Sequence, residues 1–166
     1  MAIVVETGTG ASTSQSYLSV ADCDAYNLLH SNDATWIAAS TASKEIALIR
    51  ATQYLDSNWR NRWNGVRIIQ TQALAWPRSA VIDYDGYEYA SNALPQALKD
   101  ATAECAVRFA TASMIPDVTN SGNMQSITVG PISTTYAGGR SVNTMYQLVE
   151  ALLRDLVVAG GVTSRG

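Results

Sequence analysis

Charged side chains are scarce in this chain, since Asp, Glu, Lys and Arg make up 15% of its 166 residues, whereas soluble domains typically carry about 25%. Uncharged polar residues and alanine must therefore cover much of the surface, which is compatible with extensive protein–protein contact or with a neutral polar exterior. The formal net charge of −3 argues against a dedicated duplex-DNA-binding domain, because such domains are normally strongly basic.

Cysteine and histidine are also rare. Cys23 and Cys105 are far apart and belong to no CxxC pair, so we expect buried, reduced thiols rather than a disulfide. With His30 as the single histidine, the chain lacks the roughly four recognisable ligands of a zinc site. His30 ends a predicted helix, where the helix dipole explains it without catalysis. We therefore expect no metal, no cofactor and no enzymatic activity.

Two further motifs do not favour a ligand site. The glycine-rich stretches 8–10 and 138–140 lack the Gly-Lys-Ser/Thr ending of a phosphate loop. The three carboxylates of Asp83, Asp85 and Glu88 have a glycine at 86, too early for a calcium-binding EF-hand, and an Asp-Gly turn explains them. We interpret all three segments as loops or turns.

No stretch approaches the roughly 20 uninterrupted apolar residues of a membrane helix, so we expect no membrane partner. Residues 1–6 carry no positive side chain and end in Glu6, so we expect no secretory signal and folding in the cytoplasm. The length suits one domain, and we predict a single domain over residues 1–166.

Helical periodicity dominates the predicted secondary structure. Ser19 is the expected N-cap of a helix that reaches about Leu29, a short helical piece surrounds Trp36, and a longer helix runs from about Ala42 to Asp56. The apolar stripe predicted for the longer helix consists of Leu48, Ala51, Thr52, Leu55 and Trp59.

The remaining chain adds one long helix, a hairpin and a final helix. A helix is predicted from Pro95 to about Met114, a β-hairpin over 124–137, and an amphipathic helix over 142–158. The apolar side of that last helix is predicted to comprise Met145, Leu148, Val149, Leu152 and Leu156. Residues 1–16 are predicted to form an extended arm, residues 17–116 a helical core, and residues 57–92 a long loop within it. The predicted fold is mainly α, a bundle-like domain of four to five helices with a small hairpin.

Arginine and tryptophan alternate in the long loop, and this cluster is the strongest candidate for a binding site. Its members are Trp59, Arg60, Arg62, Trp63, Arg67, Trp76 and Arg78. Guanidinium groups interleaved with indoles can form a platform that stacks single-stranded bases. The same residue types are also typical of protein interfaces and cores. Both interpretations remain open from the sequence.

Several segments, taken in order, resemble one family of tailed-phage and prophage proteins. The strongest marks are residues 47–52, Ala-Leu-Ile-Arg-Ala-Thr, and residues 74–78, Leu-Ala-Trp-Pro-Arg. Residues 16–22, residues 94–98 and the Val-Gly-Pro-Ile of residues 129–132 add to the likeness, which covers nearly the whole chain. Members resemble head-to-tail adaptor proteins, and some instead carry a DnaT-like label that likens them to a primosomal single-strand-binding domain.

The resemblance implies a non-enzymatic structural protein of the virion, assembled in the host cytoplasm and located in the neck. It implies a homo-oligomeric ring, commonly of twelve copies, that contacts the portal protein and a tail or stopper protein and surrounds the passing genome. The alternative is a replication accessory protein that binds single-stranded DNA. For the ring, the expected subunit or portal contacts are Ile3, Val4, Val5, Ile127, Val129, Ile132 and Tyr136.

Overall fold

The structure, a computed structural model, describes residues 3–112, 114, 126–129, 132–135 and 146–158. Its helices are α1 (Val20–His30), α2 (Ala34–Ala38), α3 (Thr41–Asn58), α4 (Gln96–Thr111) and α5 (Gln147–Leu153), followed by a 3-10 helix at Arg154–Leu156. Strand β1 (Val66–Arg67) pairs antiparallel with β2 (Arg78–Ser79), and β3 (Ser126–Val129) pairs antiparallel with β4 (Ile132–Thr135). The prediction of a mainly helical fold with a small hairpin is confirmed. Within the described ranges, no helix has both the length and the apolar character needed to cross a membrane.

The first three helices begin where short polar side chains can cap them. The side chain of Ser19 accepts a hydrogen bond from the backbone N–H of Asp22, and Asp33 and Ser40 cap α2 and α3 in the same way. A side-chain oxygen at this position satisfies one of the N–H groups that lack a partner in the first turn. The polar clusters in the sequence therefore set the starts of these helices.

Helices α3 and α4 pack against each other to form the centre of the core. Every member of the stripe predicted for α3 is buried: Leu48, Ala51, Thr52, Leu55 and Trp59. Both thiols are free and buried, Cys105 on α4 and Cys23 on α1, as the sequence predicted. Burial raises the pKa of each thiol to about 12, so both remain protonated and pack as small apolar side chains.

Helix α5 packs on α4, but its inward face differs in two residues from the prediction. Val149 and Leu156 are buried and Leu152 is partly buried against the core, as predicted. Leu148, also predicted to face the core, is 47% exposed, and Leu153, which was not predicted to do so, is buried. The predicted start at 142 and Met145 lie outside the described residues.

Residues 3–16 form a closed loop where the sequence predicted an extended arm. Val5 pairs with Ser16 as an isolated β-bridge, and between them the chain folds around the buried carboxylate of Glu6. Ile3 packs against the core of its own chain, whereas Val4 is exposed. The Gly, Thr and Ser residues of this segment have no periodicity, so the sequence alone gave no sign of the carboxylate that organises them.

In the β3–β4 hairpin, Val129 lies opposite Ile132 and Ser126 opposite Thr135. Strands were expected here because the segment is rich in β-branched residues. The side chains of the predicted contact residues Ile127, Val129 and Ile132 are not described, and Tyr136 lies outside the described residues.

Candidate functional site

The tryptophans of the arginine–tryptophan cluster are core residues. Trp59, Trp63 and Trp76 are 3%, 5% and 0% exposed. The rings of Trp63 and Trp76 meet edge to face with their centroids 5.9 Å apart, a favourable arrangement for buried aromatic pairs. A base-stacking platform needs an exposed ring face. These indoles therefore do not provide the platform that one interpretation of the sequence required.

Three segments that are distant in the sequence meet at one hydrogen-bond network. The hydroxyl of Tyr17 donates to Oδ1 of Asp56 over 2.5 Å, and the backbone N–H of Ala75 donates to Oδ2 of the same carboxylate over 2.9 Å. The backbone N–H of Trp76 donates to the Tyr17 hydroxyl over 3.2 Å. The network thus joins the segment before α1, the end of α3 and the segment before β2. The first and last of these lie within residues 16–22 and 74–78, which carry the family resemblance.

Burial controls the ionisation of this network. Burial raises the pKa of Asp56 to about 6, although the hydrogen bonds from Tyr17 and Ala75 and the charge of Arg78 partly oppose the shift. Burial, followed by the charge of Asp56, raises the pKa of Tyr17 well above its ordinary value. The tyrosine therefore remains a hydrogen-bond donor to Asp56 at neutral pH.

Arg78 holds the backbone next to this network. Its guanidinium donates to the carbonyl oxygens of Asn64 and Gly65, each over 2.6 Å, and to that of Ala75 over 3.2 Å. Burial, followed by the nearby charge of Arg67, lowers the pKa of Arg78. Arg67 is its partner in the register of β1 and β2. Because Arg78 is used in three backbone contacts, its role is mainly structural, while the exposed Arg67 is available to a ligand.

An open groove of about 820 Å³ lies beside these residues. We call it the arginine groove, and its lining includes Arg60, Arg67 and Arg78, the polar residues Gln15, Gln53, Asn61 and Ser57, and the apolar residues Trp63, Val66 and Leu74. Asp56 also lines it, but that carboxylate already accepts two hydrogen bonds. The lining of the groove is therefore cationic and rich in hydrogen-bond donors.

The C-terminal part of the described chain holds one wall of the arginine groove in place. Trp63 and Val157 form an isolated antiparallel bridge, and the backbone N–H of Asn64 donates to the carbonyl of Leu156 over 3.0 Å. Trp63 is thus fixed at the groove. Its buried Nε1 has no hydrogen-bond partner among the described residues.

The cluster predicted from the sequence is divided by the structure. Arg60, Trp63, Arg67 and Arg78 line the arginine groove, and Trp59 and Trp76 do not. Arg62 lies outside it, with its Nη1 3.7 Å from Oε1 of Glu150. Sequence reasoning missed the amides of Gln53 and Asn61, which are each four residues, or one helical turn, from Ser57. Gln53 lies within the predicted helix and Asn61 in the turn just after α3, so helical spacing around Ser57 was the signal that could have found them.

Other candidate sites are weaker. Within the described ranges, no group of three or more His, Cys, Asp and Glu side chains is arranged to hold a metal ion. The exposed His30 contacts the carbonyl of Tyr26 at 3.1 Å through Nδ1 and stacks on the Tyr26 ring. That is a local helix-end contact, as expected from the sequence.

Comparison with known proteins places the chain in a family. No curated protein and no solved structure matches the sequence. A family model described as "Putative DnaT-like ssDNA binding protein" matches residues 1–166. Since this match spans the whole sequence, the chain belongs to that DnaT-like family.

Proposed function

We propose that this chain binds single-stranded DNA and that the arginine groove is the binding site. The observation that carries the proposal is the exposure of Arg60 and Arg67 on one groove. Neither forms an ion pair with a described acidic residue. Family membership supports the same ligand.

The lining of the groove favours contacts with the DNA backbone. Guanidinium groups recognise phosphate with charge-assisted hydrogen bonds, and Gln53 and Asn61 add neutral donors beside them. The buried tryptophans leave little aromatic surface for bases. Binding is therefore expected to be tolerant of sequence and of moderate affinity, because stacking normally supplies about 1–3 kcal/mol per base.

Fluorescence anisotropy with a labelled thymidine oligonucleotide tests this proposal. Two phosphate contacts in a single strand give a slope of about −1.4 for log affinity against log salt. The double variant Arg60→Ala with Arg67→Ala should lose most of the affinity and flatten that slope. The control is Arg50→Ala, because Arg50 is also exposed and lies on α3 but does not line the groove. The absence of binding by the unmodified protein at low salt would overturn the proposal.

A second candidate function is that of a non-enzymatic head-to-tail adaptor in a tailed-phage virion. Burial of the three tryptophans favours it, because single-strand binding then lacks its usual stacking surface. Leu28 and Leu29 at the end of α1 are 70% and 80% exposed, and together with the low charge they suit contact with protein partners. As an adaptor, the chain would form a ring between the portal and the tail, with DNA only as the passing genome.

Particles of the phage or prophage that encodes this chain test the adaptor function. Quantitative mass spectrometry of purified particles should find several copies per particle, and microscopy of the neck should place them beneath the portal. Absence from the particles, combined with tight binding of oligonucleotide by the purified protein, would exclude the adaptor and leave the single-strand-binding function.

A further inference from the structure

Residues 82–88 form an ordered turn that we call the acidic tip. Ile82 and Glu88 close it as an isolated antiparallel bridge. Inside it, the backbone N–H of Asp83 donates to the carbonyl of Tyr87 over 2.9 Å, and the N–H of Tyr87 donates to Oδ1 of Asp83 over 2.8 Å. Gly86 completes the turn with a φ of +90°. The tip therefore has a fixed backbone shape.

The acidic tip has the composition of a contact surface. Tyr84 is 91% exposed, Tyr87 is 74% exposed and Ile82 is 58% exposed. Asp85 and Glu88 are also exposed, and no carboxylate of the tip belongs to an ion pair with a described residue. Exposed tyrosines are enriched where proteins meet, and monomers seldom leave several large side chains together in solvent without a use.

The arginine groove has the complementary chemistry. Arg60 and Arg67 supply positive charge and the amides of Gln53 and Asn61 supply donors, while the tip supplies carboxylate acceptors. The apolar part of the groove, which includes Val66, suits a tyrosine ring. None of the residues that line the groove belongs to the tip of the same chain. Among the described residues, the tip of the same chain therefore does not fill the groove.

We propose that the acidic tip of one copy docks in the arginine groove of a second copy. The tip and the groove are different surfaces of one chain, so the contact is heterologous and leaves a free tip at one end and a free groove at the other. Repetition of such a contact gives a closed ring or an open chain of copies. The inference uses the groove of the proposed function but does not require that DNA binds there.

Competition with DNA follows from the shared chemistry. The carboxylates of the tip and the phosphates of a single strand both present anionic oxygens to Arg60 and Arg67. A groove that is filled by a tip is closed to DNA, so self-association and single-strand binding exclude each other at each groove. Both are weakened by salt, since both rest on partly exposed charges.

Sedimentation velocity with a matched pair of variants tests the contact. The groove variant carries Arg60→Glu and Arg67→Glu, and the tip variant carries Asp85→Lys and Glu88→Lys. The unmodified protein should associate with increasing concentration and dissociate as salt rises, whereas each variant alone should remain monomeric. An equal mixture should associate again, because the intact tip of the groove variant meets the intact groove of the tip variant and the two reversed surfaces also carry opposite charges.

Arg50→Glu is the control for charge reversal outside the groove and should associate like the unmodified protein. Circular dichroism checks that every variant is folded, and Asp85→Asn with Glu88→Gln is a milder tip variant with the same expected loss. An unmodified protein that stays monomeric up to millimolar concentration would overturn the inference, and so would a mixture that does not associate. If the variant Asp85→Asn with Glu88→Gln, whose groove no tip fills, binds no oligonucleotide, the proposed DNA site alone is refuted.

Discussion

Two turns of this chain each combine a carboxylate with glycine and have opposite surroundings. In the loop of residues 3–16, one carboxylate oxygen of Glu6 accepts backbone N–H groups of Thr7, Gly8, Thr9 and Gly10, and the other accepts the Ala11 N–H and the Ser14 hydroxyl. In the acidic tip, Asp85 and Glu88 are exposed to solvent. The first turn is held together by its acid, whereas the second presents its acids outward.

The comparison shows that an acidic, glycine-containing turn does not by itself indicate a ligand site. The hydrogen bonds around Glu6 occupy both oxygens, so this carboxylate stabilises the fold and is closed to other partners. The tip satisfies its own backbone through Asp83 and leaves Asp85 and Glu88 available. Burial and the supply of donors separate the two roles.

The largest difference between the turns is expected at their glycines. A Cβ at Gly8 would lie 1.9 Å from the carbonyl oxygen of Asn92, and the φ of Gly8 is +99°. We expect Gly8→Ala to lower the free energy of unfolding by about 3 kcal/mol or more, because backbone must move. Gly86→Ala should cost about 1 kcal/mol, since its φ is +90° but nothing lies within 4 Å. Equal losses in urea denaturation would show that the two turns are equally constrained.

A smaller difference in stability between the two turns is expected when their acidic residues are substituted. Glu6→Gln replaces one acceptor oxygen by an N–H₂ group that faces backbone donors, so we expect a loss of roughly 2–3 kcal/mol in the free energy of unfolding. Glu88→Gln at the exposed tip is the matched substitution and should change stability by less than about 0.5 kcal/mol. Thermal and urea unfolding of both variants measure this. A Glu6→Gln protein as stable as the unmodified chain would mean that the loop does not depend on the charge.

The pH dependence of the free energy of unfolding also tests whether the Glu6 carboxylate stabilises its loop. Burial disfavours the charged form of Glu6, but hydrogen bonds from Ser14, Gly10, Gly8 and Thr9 outweigh it and lower the pKa. The contribution of Glu6 is therefore present above pH 4.5 and is lost as pH falls through its lower folded-state pKa. The stability difference between the unmodified protein and Glu6→Gln should shrink on acidification below that pH. A difference that is constant down to pH 2 would contradict this.

The contribution of Asp56 to stability should change with pH in the direction opposite to that of Glu6. Its pKa rises from 3.8 to about 6 in the folded state, so the native protein binds a proton more readily than the unfolded chain. Its ionised form therefore costs stability, and acidification from pH 7 towards pH 4 should recover that cost. Asp56→Asn, measured over the same pH range by urea denaturation, should remove this component of the profile. A profile unchanged by Asp56→Asn would show that the carboxylate does not titrate there.

The smallest effect on stability is expected at the end of the tip. Tyr84 is almost fully solvated, so Tyr84→Ala should change the free energy of unfolding by less than about 0.5 kcal/mol. The same substitution should weaken self-association several-fold in sedimentation, because the ring would lose its contact with the groove. Loss of association without loss of stability would show that the tip serves contact with a second copy, whereas the loop of Glu6 stabilises the fold.

The parts of the fold that could be predicted from the sequence depend on local chemistry. Ser19 marked the start of α1, and the spacing of Leu48 and Leu55 identified the buried face of α3, because caps and helical periodicity act within a few residues. The loop around Glu6 could not be predicted in the same way, since five consecutive backbone groups converge on one side chain without any periodic pattern.

The candidate site was predictable in part. The composition of the cluster identified Arg60 and Arg67, which the structure places on the groove. It could not show that Trp76 is buried, because its backbone N–H bonds Tyr17, 59 residues away in the sequence, and its ring packs on that of Trp63. Whether an indole packs inside or faces solvent is decided by such long-range contacts, which sequence spacing does not reveal.

The network of Tyr17, Asp56 and Trp76 has a consequence for how this protein can be divided. Tyr17, Asp56 and Trp76 are spread over residues 17–76 of the chain. A fragment that starts after Tyr17 or stops before Trp76 therefore leaves a buried polar group of the network without its hydrogen-bond partner. A shortened chain that fails to bind DNA or a second copy would then report misfolding rather than a lost contact. Mapping of binding by deletion is therefore unsuitable here, and point substitutions on the exposed arginines are the appropriate tool.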